Sequence, residues 1–370
     1  MSELLRLDNP IRAYDWGSHT VLAELLGRPA TGPQAELWIG AHPTAPSRLP
    51  DGSSLLDRIT GAPEPMVGPG QDRLPFLLKV LAVERPLSLQ VHPDADQARD
   101  GYAEGRGYQD AWPKPELIYA LTRFEALCGF ADPERSASLL ASTRGERLRR
   151  VADVLTAGGP RAAVTALTTW PEDDRHALVA EVGASTSLDL AWSRRLAEQH
   201  PTDPGVVIAI LMNHVILSPG QALFARPRTL HAYLRGTGVE IMANSDNVLR
   251  GGLTTKHVDV AELQAVTDFT PSRPELVTPV LLPNGETSLP APTSHFHLTR
   301  LQPSGAPVEI PDPGPSALLC LDGELTLTRG AATEHLRRGD SVFLPYAGGR
   351  ATVTGDGLAF RASLPPLARG

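Results

Sequence analysis

The sequence predicts a mainly β protein built from two jelly rolls, with a helical insertion. Three observations carry this expectation. Thirty-three glycines and 35 prolines in 370 residues cut the chain into short segments, and both residue types favour turns between strands over long helices. Apolar β texture fills 72–92, returns from Val206 to about Val260 and recurs through the last hundred residues, whereas 131–204 is rich in Ala, Leu, Arg and Glu with apolar residues at helical spacing. Finally, LSPGQALFARPRTLHAY and the later RRGDSVFLPYAGG share a pattern: a glycine turn opens an apolar strand that ends in proline. They read as one jelly-roll element used twice, the second copy without the histidine.

Along the chain, LPFLLKVLAV and PLSLQVH are two strands split by Glu84-Arg85-Pro86. In LSLQVHPD (87–94), alternation places Leu87, Leu89 and Val91 on a core face and Ser88, Gln90 and His92 on the other. Pro93 and Asp94 stop the strand directly after His92, and sites are commonly built at such ends. SASLLASTRGERLRRVADVL and PEDDRHALVAEV are helices, with a capping box expected at Thr169-Trp170-Pro171-Glu172. VVIAILMNHVIL resumes the β texture, followed by a turn at Ser218-Pro219-Gly220 and the segments QALFARP and LHAYLRG. ALLCLDGELTLTRG, EHLRRGDSVFLPYAGG and RATVTGDGLAFRASL complete an antiparallel meander or jelly roll, with a hairpin turn expected at Leu321-Asp322-Gly323. The expected division is 1–130 with 205–265 as a metal-binding unit, 131–204 as the helical insertion and 266–370 as a C-terminal jelly roll without metal ligands.

Thirty-four basic against 42 acidic residues give a net charge of −8, with no Lys/Arg run. No nucleic-acid partner is therefore expected, and an anionic ligand would have to be held by a few placed cations. Cys128 and Cys320 stand far apart without CxxC spacing, which argues against a disulfide framework or thiolate zinc site and fits a reducing cytosol. The start MSELLRLDNPIRAYDWG lacks a charged-then-apolar leader, and no apolar run approaches the roughly 18 residues of a membrane span. The expectation is a cytoplasmic protein with no membrane partner, taken as a monomer, although the sequence leaves an oligomer open.

Polar pairs at i, i+2 recur on extended segments. Pro115 biases Lys114 towards an extended conformation, so Lys114 and Glu116 project to one side, and His231 and Tyr233 share that spacing. Imidazole nitrogens and a carboxylate suit a borderline divalent ion such as Zn2+, and an amide oxygen can complete the shell. Gln90, His92, Glu116 and His231 are the candidates. A thiolate-free shell with an open position is catalytic in type. The competing reading is a set of solvated strand faces, since QxH and HxY pairs are common in β proteins. His42, His214 and His257 read as structural and the pair His295 and His297 as surface or domain-interface residues; for Lys79 within LLKVL the competing reading is a lysine that snorkels from its strand.

AYDWGS (13–18), AELWIGAHPTAPS (35–47), LPFLLKVLAVERPLSLQVHPD (74–94), KPELIYALTRFEALCGF (114–130) and HAYLRGTGVEIMANSDNVLRGGLTTKHVD (231–259) follow in this order. Together they resemble the type I mannose-6-phosphate isomerases, over most of the chain. The resemblance implies cupin-like jelly rolls and a zinc enzyme of mannose metabolism, on the route to GDP-mannose. Such an enzyme interconverts mannose 6-phosphate and fructose 6-phosphate through a cis-enediol, with one Zn2+ per chain.

The family's ligands match Gln90, His92, Glu116 and His231, its active-site arginine matches Arg250, and its pocket positions place Lys79, Ser88, Lys114, Tyr233, Glu240 and Lys256 around the sugar phosphate, with Trp16 nearby. We expect Arg250 to act near the reacting carbons and Lys114 or Glu240 to take part in proton transfer. The sequence does not divide phosphate binding among Arg250, Lys256, Lys79 and Lys114. One departure stands out: a histidine usually precedes KPE, and here it is Pro113.

Two other functions compete. A cupin oxygenase would use His92, Glu116 and His231 for Fe(II), but has no general need for so many placed cations. A non-catalytic sugar-phosphate-binding module could lose a ligand, yet every ligand position is filled.

Overall fold

The computed structural model describes residues 4–311 and 314–365. Among the described residues two antiparallel sheets dominate, one of eleven strands and one of nine. Helices occupy 133–210, between the strand Phe124–Phe130 and the strand Met212–Leu217. The mainly β class with a helical segment is as expected. No helix among the described residues is long and apolar enough to cross a membrane, and Cys128 and Cys320 are both free and buried.

The centre of the larger sheet is the strand Phe76–Val83, FLLKVLAV, in which every residue is buried. A strand apolar on both faces must be covered on both. On one side Leu78 and Val80 join Leu37, Leu117, Val239 and Ile241 in a core shared with Leu298, Leu319 and Phe360 of the nine-stranded sheet. The opposite side carries Lys79, and the site is built there. The short N-terminal strand Leu5–Leu7 does not join the larger sheet; it pairs with Ser341–Leu344 in the smaller one.

The longest strand of the larger sheet, His231–Ala243, changes partners along its length. Its first half pairs with Phe124–Phe130 and Gln90, and its second half with Phe76–Val83 and Glu116–Ala120. The changeover lies at Gly236, whose φ of 127° and whose Cβ position, 2.7 Å from the Arg123 carbonyl, exclude other residues. Met242 is the cross-strand partner of Glu116. A straight strand would carry His231 roughly 36 Å from Met242, yet His231 Nε2 lies 3.0 Å from Glu116 Oε2. The sheet therefore curls back on itself, as a jelly roll must.

Three local expectations are corrected. VVIAIL forms the helix Gly205–Ile210, not a strand, because a fully buried six-residue apolar run has no periodicity to separate the two; the β texture restarts at Met212. Thr169 is not an N-cap: it follows the helix Glu146–Thr168, and its hydroxyl donates back to the Thr165 carbonyl at 2.8 Å. Leu321-Asp322-Gly323 is not a turn, since the strand Ser316–Arg329 runs through it with a register slip between Cys320 and Asp322. Gly323, at φ 75°, serves that bulge. The two echoing phrases do both form strands, Ala222–Ala225 and Ser341–Leu344.

The helices are tied to the sheet by Glu125, whose two oxygens meet Arg195 Nη2 at 2.7 Å and His214 Nε2 at 3.1 Å. The His214 hydrogen bond, joined by Arg195 and opposed by burial, pulls this carboxyl down to about 2 from an ordinary 4.5. A depressed acid stabilises the fold above its unfolded pKa, and the contribution is lost as pH falls from about 4.5 towards 2. Because Arg195 is half exposed, Glu125→Gln is expected to cost about 1–2 kcal/mol at pH 7. Urea unfolding should show that deficit shrinking at pH 3.5; a deficit independent of pH would refute the assignment.

Candidate metal centre and its pocket

Cross-strand partners in an antiparallel sheet share a face. Register aligns Trp38 with Lys79 and Lys79 with Glu240, and sets Glu36 and Glu116 two residues off this row on the same face. The curl of the His231 strand then brings in Gln90, directly opposite both His231 and Arg250. One concave face thus collects groups from six strands.

His92, Glu116 and His231 are buried and offer ligand atoms that all lie within 4.8 Å of one another. Glu116 Oε1 is 3.2 Å from His92 Nε2, while its Oε2 faces His231. The far side of each ring decides what these nitrogens present. His92 Nδ1 is 2.7 Å from the Asn247 carbonyl and His231 Nδ1 is 2.9 Å from the Thr229 carbonyl. A carbonyl only accepts, so each ring donates its N–H there and turns an Nε2 lone pair towards the carboxylate. His92 Nε2 is buried without a hydrogen-bond partner among the described residues. Converging lone pairs and a carboxylate repel unless a cation lies among them, so the donor set fits a divalent metal ion.

The electrostatics of the three differ. Burial, then the Lys114 ammonium, holds His92 down to about 4 and hence neutral. Burial also opposes charge on His231, but Glu116 raises it. Glu116 itself would be pushed up by burial; the Lys114 ammonium, 3.1 Å away, instead keeps it well below the usual carboxylate range. Gln90 is half-buried, and its Nε2 donates to Ser88 Oγ at 3.3 Å, which leaves the amide oxygen as its acceptor.

These groups open onto a cavity of about 970 Å³, whose wall includes Trp16, Lys79, Ser88, Gln90, Lys114, Glu116, His231, Tyr233, Glu240, Arg250 and Lys256. Apart from His92, which lies beneath the wall, the structure brings every candidate residue to one cavity. Lys79 does not snorkel. It is 6% exposed, with Nζ 3.3 Å from Glu36 and 3.2 Å from Glu240. Burial would discharge it, but the two carboxylates raise its pKa. Burial, against the opposing pull of Lys79, lifts Glu240 to about 7. Burial, with Glu240 and Glu116, raises Tyr233 well above its ordinary value, so the phenol keeps its proton.

Arg250 and Lys256 make no side-chain ion pair among the described residues. The buried lysines are thus committed to carboxylates, whereas Arg250 and Lys256 are unengaged.

Residues not singled out from the sequence complete the arrangement. Glu36 accepts from Trp38 Nε1 at 2.5 Å as well as facing Lys79. Asn247 holds His92 through its carbonyl while its side-chain amide grips Asp110 and Trp112. His42, expected to be structural, is buried with Nε2 3.3 Å from Asp246, and both reach the cavity wall. A carboxylate within the apolar run AELWIG was the one visible signal for Glu36. His295 packs edge-on against Trp112, ring centroids 5.5 Å apart.

Arg250 is held by the backbone beneath it. Gly252, at φ 136°, passes so close to the helix Gly205–Ile210 that a Cβ would lie 2.6 Å from Gly205 Cα. Asp203 ties the same junction, accepting from the Gly205 and Thr254 amides at 2.7 and 3.0 Å.

Residues 4–132 match the family model for the catalytic domain of type I phosphomannose isomerase. The mannose-6-phosphate isomerase of Escherichia coli K12 is 34% identical, over 96% of this chain and 98% of that protein. The chain belongs to the type I mannose-6-phosphate isomerase family. Mannose-6-phosphate isomerase 1 of Arabidopsis thaliana is 32% identical, over 92% of this chain and 89% of its own. Crystal structures of family members superpose closely. A substituted phosphomannose isomerase from Salmonella typhimurium gives a TM-score of 0.91 at 32% identity, covering 98% of this chain and all of that one. A mannose 6-phosphate isomerase bound with zinc and yttrium gives the same score and identity over 99% of this chain and all of that one. The cupin-type β fold expected from the sequence is the fold of these isomerases.

Proposed function

We propose that this protein interconverts mannose 6-phosphate and fructose 6-phosphate with one Zn2+ per chain, held by Gln90, His92, Glu116 and His231. The observation that carries the reading is the buried His92–Glu116–His231 cluster, whose lone pairs converge beside a cavity with ample room for a sugar phosphate. The family supports the substrate, and the zinc-bound relative supports the ion. When bound, the metal supplies Lewis-acid polarisation of the oxygens on C1 and C2.

The chain's own groups do the rest. Glu240, poised at about 7, takes the C2 proton and returns it to C1 by way of a cis-enediol, with Lys114 as the other candidate for this transfer. Arg250, opposite Gln90, offers its fork to charge developing on the neighbouring oxygens. Lys256 and the Ser88 hydroxyl face the dianionic phosphate. Lys79 keeps Glu240 in place, Tyr233 keeps its proton and offers it as a hydrogen bond, and Trp16 lines the cavity. In this reading 1–130 with 205–265 form the catalytic unit, 131–204 is an insertion and 266–370 contributes packing but no ligand. The family leaves an Fe(II) oxygenase or a non-catalytic module without support.

A coupled assay of fructose 6-phosphate formation, run with and without a chelator, tests the proposal. Purified protein is expected to carry about one zinc per chain, to lose at least 99% of its turnover on metal removal and to regain it with added Zn2+. Undiminished turnover in metal-free protein would overturn it.

A further inference from the structure

A second cavity, of about 390 Å³, shares no lining residue with the metal pocket. It lies where the helices Pro133–Ser142 and Ala191–Gln199 meet the strand Met212–Leu217. We propose that this cavity is a binding site for a small organic anion, a phosphate or carboxylate that carries an apolar or aromatic group.

Four independent features point to that chemistry. One wall is prefabricated: Glu125 is engaged by Arg195 and His214, and the Trp192 ring stacks on His214 with centroids 4.5 Å apart and planes 12° from parallel. The Glu125 charge is thereby matched inside the wall. Two further guanidiniums on the lining, Arg123 and Arg135, are exposed and make no ion pair among the described residues, against one unpaired carboxylate, Asp189. Planar guanidinium forks suit phosphate or carboxylate oxygens.

The lining is also apolar where a soluble surface usually is not. Leu188 is 87% exposed and Ile216 46% exposed, two of the few large hydrophobic side chains so exposed among the described residues. An apolar or aromatic substituent would cover them. Lastly, Ser136 lines the cavity at 1% exposure, with a hydroxyl that has no hydrogen-bond partner among the described residues. Buried hydroxyls are nearly always satisfied, and an unsatisfied one is a donor awaiting an acceptor. The volume falls within the span of small-molecule sites, roughly 300–1,000 Å³.

The test uses the metal-loaded full chain and phenyl phosphate as probe. Subtracting the emission of Trp192→Phe isolates Trp192 and so reports on this cavity rather than on the metal pocket. Saturable quenching with a Kd below about 1 mM is expected, weakened tenfold or more in Arg123→Ala/Arg135→Ala and abolished in Ala191→Phe, which fills the space. Inorganic phosphate alone should bind at least tenfold more weakly, since it leaves Leu188 and Ile216 bare. No saturation by about 10 mM, equal affinity in the double arginine variant, or inorganic phosphate binding as tightly as phenyl phosphate would each overturn the proposal.

Discussion

Glu116→Gln is expected to lower kcat/KM by about a thousand-fold, equivalent to about 4 kcal/mol of transition-state stabilisation. The change is nearly isosteric, so the loss comes from charge. Glu116 is the only carboxylate of the His92–Glu116–His231 cluster, and its two oxygens face the Nε2 atoms of rings whose Nδ1–H already donates to a backbone carbonyl. An amide cannot balance a divalent ion as the carboxylate does, and its N–H would be turned on one of those lone pairs. Lys114, buried with its Nζ 3.1 Å from Glu116, loses its counter-charge as well, and an orphaned buried ion costs about 3–5 kcal/mol. Zinc analysis should therefore show sub-stoichiometric metal, and thermal unfolding should show a lowered midpoint. Full zinc occupancy with parent-like turnover would refute the ligand assignment.

Arg250→Ala is expected to lower kcat by about 100- to 1,000-fold, the usual effect of removing one donor aimed at developing charge. Metal content should not change, because Arg250 is opposite Gln90 in register but is not itself a ligand type. Its guanidinium makes no ion pair among the described residues, so truncation breaks no structural bridge and the fold should persist. Steady-state kinetics beside zinc analysis separates this from the Glu116 result. A purely phosphate-binding role would show instead as a raised KM at nearly parent kcat, and near-parent turnover would remove Arg250 from the chemistry.

The metal cluster was legible because alternation in short strands puts like side chains on one face: QVH and KPE each announced a polar face, and HAY a third. Its neighbours were not legible. Glu36 matters through its pairing with Lys79, and that depends on the register of strands 40 residues apart in sequence, which no local pattern encodes. The same long-range pairing makes Lys79 a buried ion, which decides between a pocket lysine and a snorkelling one where LLKVL alone leaves both open.

Local misreadings have local causes. VVIAIL is buried on every side, which erases the periodicity that tells helix from strand. Leu321-Asp322-Gly323 carries turn chemistry, but the bulge it serves keeps the chain moving forward, because the Gly323 conformation suits either use. Thr169-Trp170-Pro171-Glu172 has the letters of a cap, yet the preceding helix reaches Thr168 and leaves the threonine at the wrong end of a helix.

The long strand from His231 to Ala243 would give a bound ion a second role. Its opening residue offers one of the candidate ligand atoms, and its far end is bonded across to the strand that offers another. A cation gripping both is a rivet through a rolled ribbon. Uptake of metal and tightening of the roll then draw on the same free energy, and whatever loosens one loosens the other.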